Sequence, residues 1–338
     1  MSNAQDVALT IAKETTYGTP VTVTQSYEFL SESLDFSKTV NDSPAYRYGA
    51  RVASSAGRVL MTKSAGGDVS FELGSKGFGK WFEACLGTVT STKVGATTVY
   101  QQVHTIGDVL PSLTVQKILP SISSTDSTFS DGVFTFTSAM VASWSLDVPE
   151  AGVATFGVTL NARDVTTDTA KVTPSYLAAS NVLHFGAASL TTGAVTAPTA
   201  TALASSPTSV ANVKSFKLNV DNALEDAYFF GGAGLKAKPR KGRPEITGEM
   251  TVEFVTNGPF VTAFLTDAAM TLIAQIGTTA NTDELVQIVL SDIRITGELP
   301  KAGGTPGVVT MTVPFKAYAN GVAAQPLWLV NRTYETAV

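Results

Sequence analysis

The chain has 338 residues, 44% hydrophobic and only 15% charged, with a formal net charge of −5. So much apolar material excludes wholesale disorder, and the acidic balance excludes a basic nucleic-acid binder. A single cysteine, Cys85, and two histidines, His104 and His184, exclude an internal disulfide and a zinc cluster and leave little for acid–base chemistry.

At roughly 150 residues per domain the length predicts about two domains. The stretch 1–20 lacks a basic segment followed by an apolar one, so no signal peptide is expected and synthesis is expected in the cytoplasm. No apolar run reaches the roughly 18 residues of a membrane helix, and no membrane partner is expected. The charged fraction lies below the roughly 25% of ordinary domains. Thr, Val and Gly take its place, which suggests β-sheet partly covered by other subunits.

In chain order, apolar–polar alternation predicts strands at VALTI (7–11), DVSFEL (68–73), FTFTS (134–138), SWSLDV (143–148) and ATFGVTL (154–160). It resumes at SFKLNV (215–220), EMTVEF (249–254), DIRITGEL (292–299) and VVTMTVPF (308–315). Asp131-Gly132, Pro149–Gly152 and Gly303-Gly304 are hairpin signals. Two short helices are predicted, GFGKWFEACLG (77–87) stopped by Gly87, and GPFVTAFLTDAAM (258–270) opened by Pro259. Ser, Thr, Ala and Pro dominate 165–211, which is expected to be a linker, or one flexible loop of a single large domain. NVLHFGAASL (181–190) is a candidate strand inside it.

An internal repeat organises these elements. GDVSFEL (67–73) aligns with GEMTVEF (248–254), Gly77 with Gly258, SESLDF (31–36) with SFKLNV (215–220), and Tyr48-Gly49 with Phe230-Gly231 after a one-residue slip. Pro149 and Gly152 align with Pro300 and Gly303. Element order is the same in both halves. The chain is therefore mainly β, two tandem domains at 1–175 and 176–338, each a β-sandwich or half-barrel with one short helix. An insertion within 88–139 has no partner in the second half.

Each half carries a long glycine-rich basic loop. The first (46–67) holds Arg47, Arg51, Arg58 and Lys63; the second (230–248) holds Lys236, Lys238, Arg240, Lys241 and Arg243. Loops of this length are uncommon unless they bind something or are disordered. Cationic fingers on an acidic protein predict self-association, and the absence of stacking aromatics with the second cluster argues against nucleic acid. After each loop one strand face reads acidic–hydroxyl–acidic: Asp68, Ser70, Glu72 and Glu249, Thr251, Glu253. In a closed ring this face would line a channel and repel polyanions.

No catalytic constellation appears. Cys85 sits in an apolar helix pattern, the histidines lack a neighbouring acid and nucleophile, and the glycines at 231–234 lack the context of a phosphate loop. The chain is not expected to be an enzyme.

The residues resemble the major tail tube proteins of long-tailed, siphovirus-type bacteriophages. KETTYGTP (13–20), GGDVSFELGSKGFGKWFEACLG (66–87), SFKLNVDNALEDAYFFGG (215–232) and KGRPEITGEMTVEF (241–254) carry the resemblance. With the proline-turn hairpins they cover most of the chain outside 88–112 and 165–211. The resemblance implies two tandem tail-tube-type β-sandwich domains whose inner sheets join those of neighbours. It implies a structural virion protein of a long non-contractile tail, whose stacked rings form a hollow tube that passes DNA without specific binding. It also implies that no cofactor or metal is needed, and that the partners are itself and the ruler, terminator and distal tail proteins. The family's ring-contacting loop maps to 46–66 and 230–247, and its N-terminal arm to about 1–25. Rings of six tube domains would take three duplicated chains, a pseudo-hexameric trimer, with a hexamer second. The alternative is a capsid or tail decoration, or adhesin-type, β-sandwich, which predicts one mobile domain and no stacking loops.

Overall fold

The computed structural model describes residues 6–49, 51–120, 132–177, 180–254, 258–279, 283–300, 308–321 and 324–335. The first run of elements is β1 (Ala8–Lys13), β2 (Gln25–Tyr27), β3 (Ser31–Glu32), β4 (Asp35–Asp42), β5 (Arg58–Glu72), α1 (Gly79–Leu86), β6 (Gly87–Lys93), β7 (Tyr100–Ile106), β8 (Leu113–Leu119), β9 (Gly132–Val148), β10 (Thr155–Ala162) and β11 (Asp164–Thr166). The second is β12 (Ala188–Thr192), β13 (Thr208–Ser209), β14 (Val213–Asp221), β15 (Leu224–Glu225), β16 (Arg240–Lys241), β17 (Glu245–Glu253), α2 (Pro259–Thr266), β18 (Met270–Gly277), β19 (Leu285–Ile295), β20 (Thr310–Ala317) and β21 (Leu327–Thr333). The fold is mainly β, and no helix among the described residues is long and apolar enough to cross a membrane.

Period-two segments form strands that bury alternate side chains, most regularly in β10 and β17. Two expected strands, 134–138 and 143–148, are one long strand, β9, which bends at Ser138 with φ +53°. Gly87, at φ +100°, ends α1 by donating its N–H to Glu83 O. Pro259 opens α2, but Asp267 at φ +50° ends it earlier than the apolar pattern suggested, and Met270 already begins β18. Pro149–Gly152 turns back on a Gly152 N–H bond to Pro149 O. Asp131 and the Gly303-Gly304 pair lie outside the described residues.

Pairing repeats between the two runs. β1 pairs β2 and β8, β8 pairs β9, β9 pairs β10, β10 pairs β5, and β5 pairs β4. Likewise β12 pairs β13 and β18, β18 pairs β19, β19 pairs β20, β20 pairs β17, and β17 pairs β14. Register repeats as well. Ser31 faces Ser70 as Ser215 faces Thr251, and Asp68 faces Thr159 as Glu249 faces Pro314. The stretch with no counterpart is the hairpin β6–β7.

The two runs share sheets and a core. β9 pairs β14, from Val148 opposite Phe216 to Ser143 opposite Asp221. This produces one inner sheet in the order β4–β5–β10–β9–β14–β17–β20–β19. On the other layer β21 lies between β19 and β7, so the last strand clasps the first run's extra hairpin. One buried cluster runs through both halves. Its densest part joins Phe71 of β5, Phe156 of β10, and Phe78, Trp81 and Phe82 around α1, with Tyr27 meeting Phe71 edge-on at 6.0 Å. In the second half Phe216 stacks on Phe315 at 6.2 Å.

Part of the segment to which the resemblance maps an N-terminal arm, about 1–25, is strand. Residues 8–13 are β1, almost wholly buried between β2 and β8 of the same chain. The stretch 165–211 holds β12 and β13 rather than unstructured linker alone.

Candidate functional site

The inner sheet has one face in the core and one in solvent. Val69, Phe71, Leu73, Met250 and Val252 point inward, while Asp68, Glu72 and Glu249 are exposed and Glu253 is half-buried on the other face. Because the sheet is continuous, these carboxylates share one surface. A row crosses it strand by strand: Ser70, Gly157, Ser145, Asn219, Thr247 and Lys316. The next row runs Glu72, Thr155, Asp147, Lys217 and Glu249. Small side chains leave a shallow depression of about 700 Å³ over Ser70, Ser145, Asn219 and Thr247, edged by Asp68, Asp221 and Glu245.

Local contacts hold the carboxylates. Thr159 Oγ1 donates to Asp68 Oδ1 at 2.6 Å. Lys214 bridges Glu253 at 3.2 Å and Glu150 at 3.4 Å. Lys316 pairs with Glu245, which holds that carboxyl below its ordinary range. Lys217 stands between Asp147 and Glu249 in the strand register. The face is polar and mainly acidic, and such a wall repels a polyanion.

The basic loops divide into exposed tips and internal fastenings. Arg47, Arg51, Arg58, Lys238, Arg240 and Arg243 are exposed. Lys63 is half-buried and reaches Asp164 at 3.7 Å. Lys236 is not a solvent-facing finger: it is buried, bridging Asp226 at 2.9 Å and donating to Asn161 Oδ1 at 2.6 Å. Lys241 donates to Gly107 O at 2.6 Å, and burial lowers its pKa. The second loop also folds onto the first ribbon, with Lys63 N–H bonded to Gly234 O at 2.8 Å and Tyr228 Oη to Lys63 O at 3.2 Å.

The tips themselves are aromatic. Tyr46, Tyr48 and Phe230 are fully exposed, with Phe229, Val59 and Met61 more than half exposed beside them. Gly49 and Gly231 follow the tip aromatics at φ +78° and +79°, a left-handed turn that favours glycine. The sequence signal was the Tyr48-Gly49/Phe230-Gly231 match; weighing the loops by charge alone passed over it, and with Phe229 and Phe230 exposed at the second tip the expected absence of aromatics beside that basic cluster does not hold.

Cys85 is fully buried and burial pushes its thiol pKa well up. His104 is buried without a hydrogen-bond partner, and burial lowers its pKa to about 3. No group of three or more His, Cys, Asp or Glu among the described residues is placed to hold a metal ion.

No curated protein matches the chain. The family model described as phage tail tube protein matches residues 4–317, nearly the whole length. With a mainly β fold, a polar acidic sheet face and exposed loops in both halves, the chain belongs to the phage tail tube protein family.

Proposed function

We propose that this chain is the ring subunit of a tail tube, that its two tandem units (1–175 and 176–338) each supply one tube wall segment, and that three chains close a pseudo-hexameric ring. The observation that carries this reading is the β9–β14 pairing within the chain. It joins two equivalent half-sheets and leaves an equivalent edge at each end. Among the described residues β4 pairs only with β5. At the other end, among the described residues, the stretch Arg294–Thr296 pairs only with β20, through Ile295 and the Thr296 N–H bond to Pro314 O. Repeating the internal junction between copies is a heterologous contact, which closes a ring when its rotation divides the circle.

In that ring Asp68, Glu72, Glu249 and Glu253 line the lumen, which lets DNA pass without specific binding. The exposed cations of both loops face the next ring. Ruler, terminator and distal tail proteins are the further partners, and the assembled protein resides in the virion tail.

The internal register sets the test. Asp221 faces Ser143, and their repeat counterparts are Ser37 and Thr296. A Ser37→Cys/Thr296→Cys variant is expected to form disulfides between copies, because directly paired strand residues bring their Cβ atoms to about 5 Å. Buried Cys85 does not compete. Native mass spectrometry should give a ring of three cross-linked chains. A monomer at high concentration, or six chains per ring, would overturn the assembly.

A further inference from the structure

We infer that rings of this protein are held together by aromatic knobs seated in apolar pockets: Tyr48 of one copy enters the cleft beside β2 and α1 of the next, and Phe230 enters the cleft beside β13 and α2. The inference rests on the ring reading above and names the contact that stacks one ring on another.

Strand direction puts knobs and pockets at opposite ends. From β5 through β10, β9 and β14 to β17 every pairing is antiparallel, so β5 and β17 run the same way. Both loops precede the N-terminal ends of these strands. Both pockets lie at the C-terminal ends, about 45 Å further along in the case of the 15-residue β5. One cleft of about 520 Å³ includes Tyr27, Phe78, Leu177 and Val182 with Glu72. The other, about 290 Å³, includes Val210, Val252, Phe254 and Phe260 with Glu253. They are counterparts under the repeat, since each sits where its strand passes into its helix.

The surfaces match in chemistry. Around the larger cleft Leu30, Tyr176, Leu177 and Val182 remain 38–55% exposed, apolar area that a second copy would cover. Its rim carries exposed Glu28 and Glu72, and the Tyr48 tip carries exposed Arg47 and Arg51. The Phe230 tip is apolar, and so is most of the smaller cleft. Aromatic anchors in fitted pockets dominate association energies, while rim charges mainly set approach and register.

The test is tube growth by a Tyr48→Ser/Phe230→Ser variant. Both side chains are fully exposed in the single chain, so folding and ring mass are expected to match the wild type. The critical concentration for tubes should rise about tenfold or more. A Tyr48→Cys/Leu177→Cys variant should form disulfide-linked chains only when tubes are present. Wild-type tube growth by the serine variant, or absence of the disulfide in intact tubes, would overturn the inference and leave the ring standing. Failure of the wild type to form rings at all would overturn the ring reading first, and this inference with it.

Discussion

At the residue scale, the segment KETTYGTP acts as a fastening inside the chain. Lys13 pairs with Glu83 of α1. Glu14 is buried and accepts from Ser112 Oγ, Thr114 Oγ1, Ser138 N–H and Ser138 Oγ. Tyr17 donates to Ala237 O of the second loop at 3.2 Å, and burial raises its pKa to about 12. Gly18 sits at φ +90°, where a Cβ would strike the Arg163 guanidinium. Glu14→Ala would strand several buried donors and should cost about 3 kcal/mol or more, read from urea denaturation midpoints. His104 gives a pH dependence of known sign. Folded, its pKa is held near 3 by burial against an ordinary 6.5. Below pH 6.5 the unfolded chain binds a proton that the folded chain does not. Stability is therefore full above about pH 6.5 and falls by about 1.4 kcal/mol per pH unit toward pH 3. A His104→Leu variant should lose that component when denaturation is compared at pH 7 and pH 4.5. The sequence marked His104 only as a histidine in a strand. Its burial depends on β21 arriving from the chain end, opposite Leu329.

At the element scale, strands with one wet face were legible, and of the strands covered on both sides only β1 and the first part of β9 were. β10 and β17 alternate and appear in the sequence at nearly their true bounds. β8, β18, the first part of β19, and β21 read as LTVQKIL, MTLIAQIG, LVQIVL and LWLVNRT, with no period to find. Burial on both faces, which takes in Thr114, Gln116, Gln287 and Asn331 as well as the apolar residues, removes the alternation. The loops were legible as a repeated basic pair, but the number of cations misjudged their work, because Lys236 and Lys241 face inward. An Arg240→Glu/Arg243→Glu variant should keep its folding stability within about 0.5 kcal/mol while weakening ring stacking in sedimentation. Lys236→Ala leaves Asp226 and Asn161 without their partner and should cost about 2 kcal/mol, seen as a lower Tm and earlier proteolysis of the 226–243 loop.

At the scale of the whole molecule, matching strand order, matching register and the β9–β14 junction make the chain continuous rather than two beads on a string. The sequence repeat aligned Ser31 with Ser215 and Ser70 with Thr251 without naming any strand pairing, and in the structure Ser31 faces Ser70 and Ser215 faces Thr251. It did not anticipate that the hairpin β6–β7, which has no counterpart, and β21, which lies beside β19 as the three-residue β11 lies beside β9, would bond to each other. Removing residues 327–338 should expose the edges of both β19 and β7 and abolish soluble folding, checked by circular dichroism and soluble yield. The same clasp bears on biosynthesis. Because β21 lies in the middle of its layer, between β19 and β7, that layer stays open until the residues of β21 have been made. A product terminated before Leu327 would lack the closing strand and leave the facing edges of β19 and β7 without the strand that bridges them.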